Sequence, residues 1–160
     1  MINLLEKLKE IGAIKGGDFV LKGGEKSTVY FDIKKAYGDP DVFKEIVSEV
    51  LKLIPEETTC IAGSGNGGIP LAVALSLEMN KKLSIVRDVE KNHGTKQMVD
   101  GHIPNASDRI VVVDDVLTSG TSLRNTIKNL GDIAIIKCIV ILKRGEAQGV
   151  DHDIEYLVKL

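Results

Sequence analysis

A chain of 160 residues, 43% apolar and 28% charged, has the make-up of one globular domain with a sizeable core. Its formal net charge of −2 gives no general pull toward nucleic acid or anionic membrane, so an anionic ligand needs a local Lys and Arg cluster. No signal peptide or bilayer-length apolar run stands out, and no Trp with three Phe and three Tyr argues against base-stacking platforms of the single-strand-binding kind; a cytoplasmic location is expected.

Leu4, Leu5, Leu8 and Ile11 recur at helical spacing and predict an amphipathic helix over 2–11, ending near Gly12. Two short strands follow at 18–21 and 28–33, around a Gly-Gly turn at 23–24. The Asp39-Pro40-Asp41 turn starts a helix to about Leu53, with Val42, Ile46, Val50 and Leu53 on one face. Strand 59–62, helix 68–78 and strand 83–86 read as a βαβ unit. A polar stretch, 88–108, precedes a strand at 110–113, a helix at 121–130, a strand at 134–142 and a last strand near 154–158. This alternation predicts an α/β fold with a doubly wound, mostly parallel central sheet, in a single domain with residues 12–38 as a small N-terminal hood. Cys60 and Cys138 sit in apolar stretches without metal-ligand spacing and read as small buried hydrophobes in a reducing compartment.

The richest segment is 110–122. Ile110, Val111, Val112 and Val113 are all β-branched, as in a strand covered on both faces. Asp114 and Asp115 come at its carboxyl end, where ligands of open α/β sheets bind. Two adjacent carboxylates can accept hydrogen bonds from vicinal ribose hydroxyls and hold the waters of a Mg²⁺ ion. Thr118, Ser119, Gly120, Thr121 and Ser122 then offer hydroxyls and N–H groups at a helix N-terminus, which suits an anion. A simple helix cap would need only one of these residues.

A second run, Gly63-Ser64-Gly65-Asn66-Gly67-Gly68, literally matches the dinucleotide fingerprint, with Asp88 twenty residues beyond Gly68. An NAD-binding domain would put ribose hydroxyls on Asp88 and leave 114–122 unexplained. A loop that cradles pyrophosphate with backbone N–H groups accounts for both segments. Gly24-Glu25-Lys26-Ser27 lacks the spacing of a P-loop.

Segment 110–122 resembles the phosphoribosyl-pyrophosphate (PRPP) motif of type I phosphoribosyltransferases at all thirteen positions. From about Gly12 to Gly145 the chain resembles the orotate phosphoribosyltransferases of that family. The resemblance rests also on 17–24 with Ser27, Tyr30, Phe31 and Asp32, on the 63–70 loop, on Arg87, Lys91, His93 and Gly94, and on Arg144 with Glu146. It implies transfer of phosphoribosyl from PRPP to orotate, giving orotidine 5′-monophosphate and pyrophosphate, as in pyrimidine biosynthesis. Lys91, Asp114 and Asp115 would be catalytic. PRPP would be held by Arg87, Lys91, His93, Asp114, Asp115, Val116, Leu117, Thr118, Ser119, Gly120, Thr121 and Ser122, with Gly65, Asn66 and Gly67 at pyrophosphate. Orotate would meet Lys22, Tyr30, Phe31, Thr118 and Arg144. Mg²⁺ would be carried mainly by PRPP, with Asp114 and Asp115 reached through water. A homodimer with shared active sites is implied, with no nucleic-acid or membrane partner and nothing that speaks for or against a decarboxylase partner.

The chain departs from the family pattern at three positions. Asp88 stands where a second loop lysine is usual, Glu25 where Arg or Lys is common, and Lys143 where an acid precedes Arg144. A transferase for another base would share 114–122 without needing Lys22 or Arg144. A PRPP-binding regulator would need a DNA-binding element for which the expected fold leaves no room.

Overall fold

The structure, a computed structural model, describes residues 3–20, 26–88 and 97–160. It divides into two compact units, Met1–Ile46 and Val47–Leu160.

In the first unit, α1 (Leu4–Glu10) starts at Asn3, whose side chain accepts from the Leu5 N–H at 3.3 Å. The antiparallel strands β1 (Ile14–Val20) and β2 (Lys26–Phe31) carry an irregularity between Gly16 and Phe19. β1 is longer than its sequence suggests, because most of its side chains are exposed and the strand is defined by pairing rather than by alternating apolar residues. An unforeseen 3-10 helix, Ile33–Gly38, follows. Asp39 accepts from the N–H groups of Asp41 and Val42, both at 3.1 Å, and so starts α2 (Pro40–Leu51), which runs on into the second unit.

The second unit is a six-stranded sheet in the order β5-β4-β3-β6-β7-β8. Its strands are β3 (Cys60–Ser64), β4 (Lys82–Val86), β5 (Val99–Gly101), β6 (Ile110–Leu117), β7 (Ile135–Lys143) and β8 (Ile154–Lys159). All pairs are parallel except β4 with β5. The doubly wound, mostly parallel α/β sheet is therefore present. From β3 the chain passes through α3 (Gly65–Met79) to β4, then restarts at β6 on the other side of β3 and passes through α4 (Thr121–Leu130) to β7. The strand order thus reverses between β3 and β6, and their carboxyl ends open a crevice there.

β6 is fully buried over its first five residues, as a strand with both faces covered must be. Ile110 and Val112 share one apolar cluster with Cys60, Ala62, Leu123, Leu130, Cys138 and Val140. Strand alternation turns Val111 and Val113 to the opposite face. Three boundaries differ from the sequence reading. α3 begins at Gly65 rather than 68, β6 runs on through both aspartates to Leu117, and the polar stretch contains β5. β5 is three residues on a sheet edge, too short to carry a periodic signal. Among the described residues no helix is long and apolar enough to cross a membrane.

A polar knot lies before β6. Asp108 is fully buried and accepts from Thr59 Oγ1 at 2.9 Å, Lys82 Nζ at 2.9 Å and the Asn105 N–H at 3.0 Å. His102 Nε2 lies 2.7 Å from its second oxygen. Burial alone would raise this carboxyl's pKa, but hydrogen bonds from Lys82, His102, Asn105 and Thr59 outweigh it and hold the group far below the usual range. Asp108→Asn is expected to cost about 3 kcal/mol, since it leaves buried donors poorly matched, and to lower Tm by roughly 10 °C. The depressed pKa means that this contribution is present above pH 4 and is lost as pH falls below the unfolded value of 3.8. The gap between thermal melts of the two proteins should therefore be narrower at pH 3 than at pH 7 without closing, because the folded-state carboxyl is still ionised at pH 3; equal Tm values at pH 7 would refute the account.

Candidate active site

The crevice is built from two strand-to-helix turns. At the end of β3, a Cβ on Gly63 would lie 2.6 Å from the Gly68 carbonyl oxygen and 2.9 Å from the Ala72 Cβ. Only glycine lets α3 turn back so closely on its strand. Gly65 opens the helix at φ +60°. Two further glycines carry the helix onto β6: a Cβ on Gly67 would fall on the Asp115 carboxylate, and one on Gly68 would come within 2.7 Å of the Val113 carbonyl and 3.5 Å of Asp114 Oδ1. The glycine run and the acid pair, far apart in the sequence, thus form one surface.

Asp114 is buried, 5% exposed, and its Oδ1 accepts from the Asp115 N–H at 2.9 Å. Asp115 is half-buried and accepts from the Val116 N–H at 2.8 Å. Burial pushes the Asp114 carboxyl up to about 7; a hydrogen bond from Ser122 opposes the rise and the Asp115 charge adds to it. Leu117 belongs to the apolar core, so only its backbone faces the turn, and its carbonyl accepts from the Arg144 N–H at 2.9 Å.

Thr118 and Ser119 are exposed, and Gly120 turns the chain at φ +80° into α4. Ser119 Oγ and Thr121 Oγ1 are 3.0 Å apart. The Arg124 guanidinium braces this turn, donating to the Ser119 carbonyl and to Thr121 Oγ1, each at 3.0 Å, and to the Gln148 carbonyl. Gly145 packs so closely on the Thr118 carbonyl that no Cβ would fit, which sets Arg144 beside the turn. Lys143, which departs from the family pattern, donates to Glu146 at 2.8 Å, and the lysine depresses the Glu146 carboxyl pKa.

Ser64 at the start of α3 makes no side-chain capping bond, and Gly120 at the start of α4 has no side chain to make one. Each N-terminus therefore offers a positive dipole end, with two carboxylates between them. This arrangement suits a ribose that carries phosphate at both ends.

Arg87 is turned onto Asp100, and its carbonyl accepts from Asn129 Nδ2 at 2.9 Å. Asp88 is exposed, and its carboxylate lies 3.5 Å from where a Gly65 Cβ would be. It therefore faces the loop expected to hold pyrophosphate. In the first unit, Tyr30 is exposed and its ring lies 5.4 Å from that of Phe19, while Phe31 is half-buried. Lys22, Lys91, His93 and Gly94 lie outside the described residues. Sequence reasoning missed Asp100 as the partner of Arg87. It also missed Ser64 and Thr126, whose hydroxyls meet at 2.7 Å. No spacing rule joins residues that far apart.

A doubly wound sheet with an acid pair and two glycine-bearing strand-to-helix turns at its switch point is the fold of the type I phosphoribosyltransferases, and the Phosphoribosyl transferase domain model matches residues 35–159. Within that class the chain belongs to the orotate phosphoribosyltransferase family. It is 37% identical to the orotate phosphoribosyltransferase of Methanocaldococcus jannaschii over 145 residues, 89% of this chain and 82% of the relative. With that of Methanospirillum hungatei it shares 38% identity over 164 residues, 98% of this chain and 94% of the relative. The crystal structure of orotate phosphoribosyltransferase from Aeropyrum pernix superposes with a TM-score of 0.86 at 33% identity, covering 98% of this chain and 93% of that one. The dinucleotide-binding reading is set aside by this membership.

Proposed function

We propose that this chain transfers the phosphoribosyl group of PRPP to N1 of orotate, releasing pyrophosphate and giving orotidine 5′-monophosphate. The observation that carries the reading is the contact of Gly67 and Gly68 with Asp115 and Asp114, which joins a pyrophosphate turn to a ribose-binding acid pair.

As the bond to pyrophosphate loosens, positive charge grows on the ribose ring, so catalysis requires orientation and charge stabilisation more than a covalent nucleophile. Asp114 and Asp115 accept the ribose hydroxyls and lie near the developing cation. The 118–122 turn holds the 5′-phosphate and the 65–68 turn the pyrophosphate. Lys91 offsets charge on the leaving group, helped by Arg87 and His93. Lys22, Tyr30, Phe31, Thr118 and Arg144 are the orotate contacts in this reading, Arg144 as a bidentate fork for a carboxylate. The half-buried Asp115 carboxylate, an oxygen donor beside an anion turn, fits a hydrated Mg²⁺. When bound, that ion neutralises charge on pyrophosphate, which matters more here because Asp88 adds a negative charge beside Gly65. The same proposal includes a homodimer with shared sites and a cytoplasmic location. The location is supported by two buried, unpaired cysteines, with burial pushing the Cys138 thiol up to about 12.

The test is PRPP plus orotate with and without Mg²⁺, following orotate loss by absorbance, beside Lys91→Ala. Mg²⁺-dependent turnover that falls roughly 10²-fold or more in the variant is expected. PRPP binding without orotate turnover would move the reading to another base or to sensing. Absence of both would end it.

A further inference from the structure

Arg124 lies just beyond the 110–122 motif, in the first turn of α4, and its side chain reaches back onto the turn that precedes the helix. Its fork donates to the Ser119 carbonyl and to Thr121 Oγ1, each at 3.0 Å, and crosses to the Gln148 carbonyl on the loop after β7. That loop also packs on the turn through its backbone. The Gln148 N–H donates to the Ser119 carbonyl at 3.2 Å, and a Cβ on Gly120 would lie 3.0 Å from the Ala147 Cα. Gly149, at φ +66°, passes close to the arginine stem, where a Cβ would lie 3.3 Å from Arg124 Cδ. Loop and arginine together form a buttress behind Ser119, Gly120 and Thr121.

A guanidinium has five N–H donors and no acceptor, so every group it bonds must turn a lone pair toward it. Thr121 Oγ1 accepts from Arg124, and its own proton therefore points elsewhere. The same oxygen lies 3.0 Å from Ser119 Oγ. Two hydroxyls carry two protons and share one bond between them, which leaves one proton for an anion. The fork also occupies the Ser119 and Gln148 carbonyl oxygens, which would otherwise compete for that proton or repel a phosphate. We infer that Arg124 is a positioning residue for the 5′-phosphate of PRPP: it holds the 118–122 turn in its binding shape and directs the turn's hydroxyl protons to the ligand, without touching the ligand itself. The inference rests on PRPP being the ligand, as proposed above.

The experiment measures the affinities of PRPP, ribose 5-phosphate and pyrophosphate by calorimetry, with steady-state kinetics and thermal melts, for the wild type, Arg124→Met and Arg124→Lys. Losing a charged donor that serves three acceptors should weaken ribose 5-phosphate about tenfold in Arg124→Met. Arg124→Lys keeps the charge but not the fork, so it should still weaken that ligand about fivefold. Pyrophosphate, which the 65–68 turn holds in this reading, should stay within about twofold of the wild type in both variants. KM for PRPP should rise about tenfold in Arg124→Met with kcat within about threefold, the mark of lost uniform binding. Wild-type ribose 5-phosphate affinity in Arg124→Lys would mean that charge alone matters, and equal weakening of both ligands would mean a general loosening of the fold. Either result overturns the inference, as does unchanged ribose 5-phosphate affinity in Arg124→Met or a wild type that binds PRPP but not ribose 5-phosphate. Arg124→Gln repeats the comparison if the methionine variant does not fold. A wild type that binds no PRPP fails the functional reading itself, which separates the two failures.

Discussion

Asp114→Asn is expected to lower kcat/KM for PRPP by roughly 10²–10³-fold and to abolish a rise in activity centred near pH 7. The side chain is buried against β6, and burial raises its pKa to about 7. Below that pH it carries a proton, and a neutral carboxyl neither stabilises the developing ribose cation nor accepts both hydroxyls. Activity should therefore climb as pH rises through 7 in the wild type and stay flat in the asparagine variant. Stability should move the other way. A carboxyl whose folded pKa lies above its unfolded value of 3.8 destabilises the fold progressively as pH rises from about 4 to 7. Asp114→Asn should accordingly melt at a higher temperature than the wild type at pH 8. A variant both slower and less stable at pH 8 would show that Asp114 serves packing rather than chemistry.

Gly67→Ala tests the junction of the two motifs. Alanine is the better helix former by about 1 kcal/mol, and Gly67 lies in the first turn of α3, so propensity alone favours the change. The added methyl would land on the Asp115 carboxylate. Either the acid or the helix must shift, and a displacement of about 1 Å at a reacting group can cost roughly 10²-fold in rate. We expect a loss of that size in kcat/KM, with Tm changed by only a few degrees. The same substitution at Gly131 meets no atom within 4 Å, but its φ of +83° makes it strained; it should cost stability and spare the rate. Equal rates for Gly67→Ala and the wild type would mean that Asp115 has no fixed position in catalysis.

Much of this molecule is local in origin. The apolar run of β6, the helix 121–130 and the strand–helix alternation follow from neighbouring residues and were legible in order. The strand-to-helix turn at 118–122 was equally legible, because its hydroxyl and glycine residues are consecutive. Element ends were less so. The three residues Gly65, Asn66 and Gly67 look like a loop on propensity, yet they form the first turn of α3, because backbone packing on β3 and β6 outweighs the weak helix preference of glycine. β1 and β5 were extended or missed for a related reason: edge and hairpin strands are specified by their partners, not by their own alternation.

By itself the sequence determined the α/β class, the acid pair with the hydroxyl- and glycine-rich turn after it, and the family, since each depends on residue types at short spacing. Tertiary structure alone decided that Gly67 and Gly68 seat against Asp115 and Asp114, that Asp88 faces Gly65, that Arg87 turns onto Asp100, and that Ser64 bonds to Thr126. These pairs join separate strand ends across the switch point of the sheet. Their distances are set by how β3, β4 and β6 lie side by side, and no local rule of spacing encodes that arrangement.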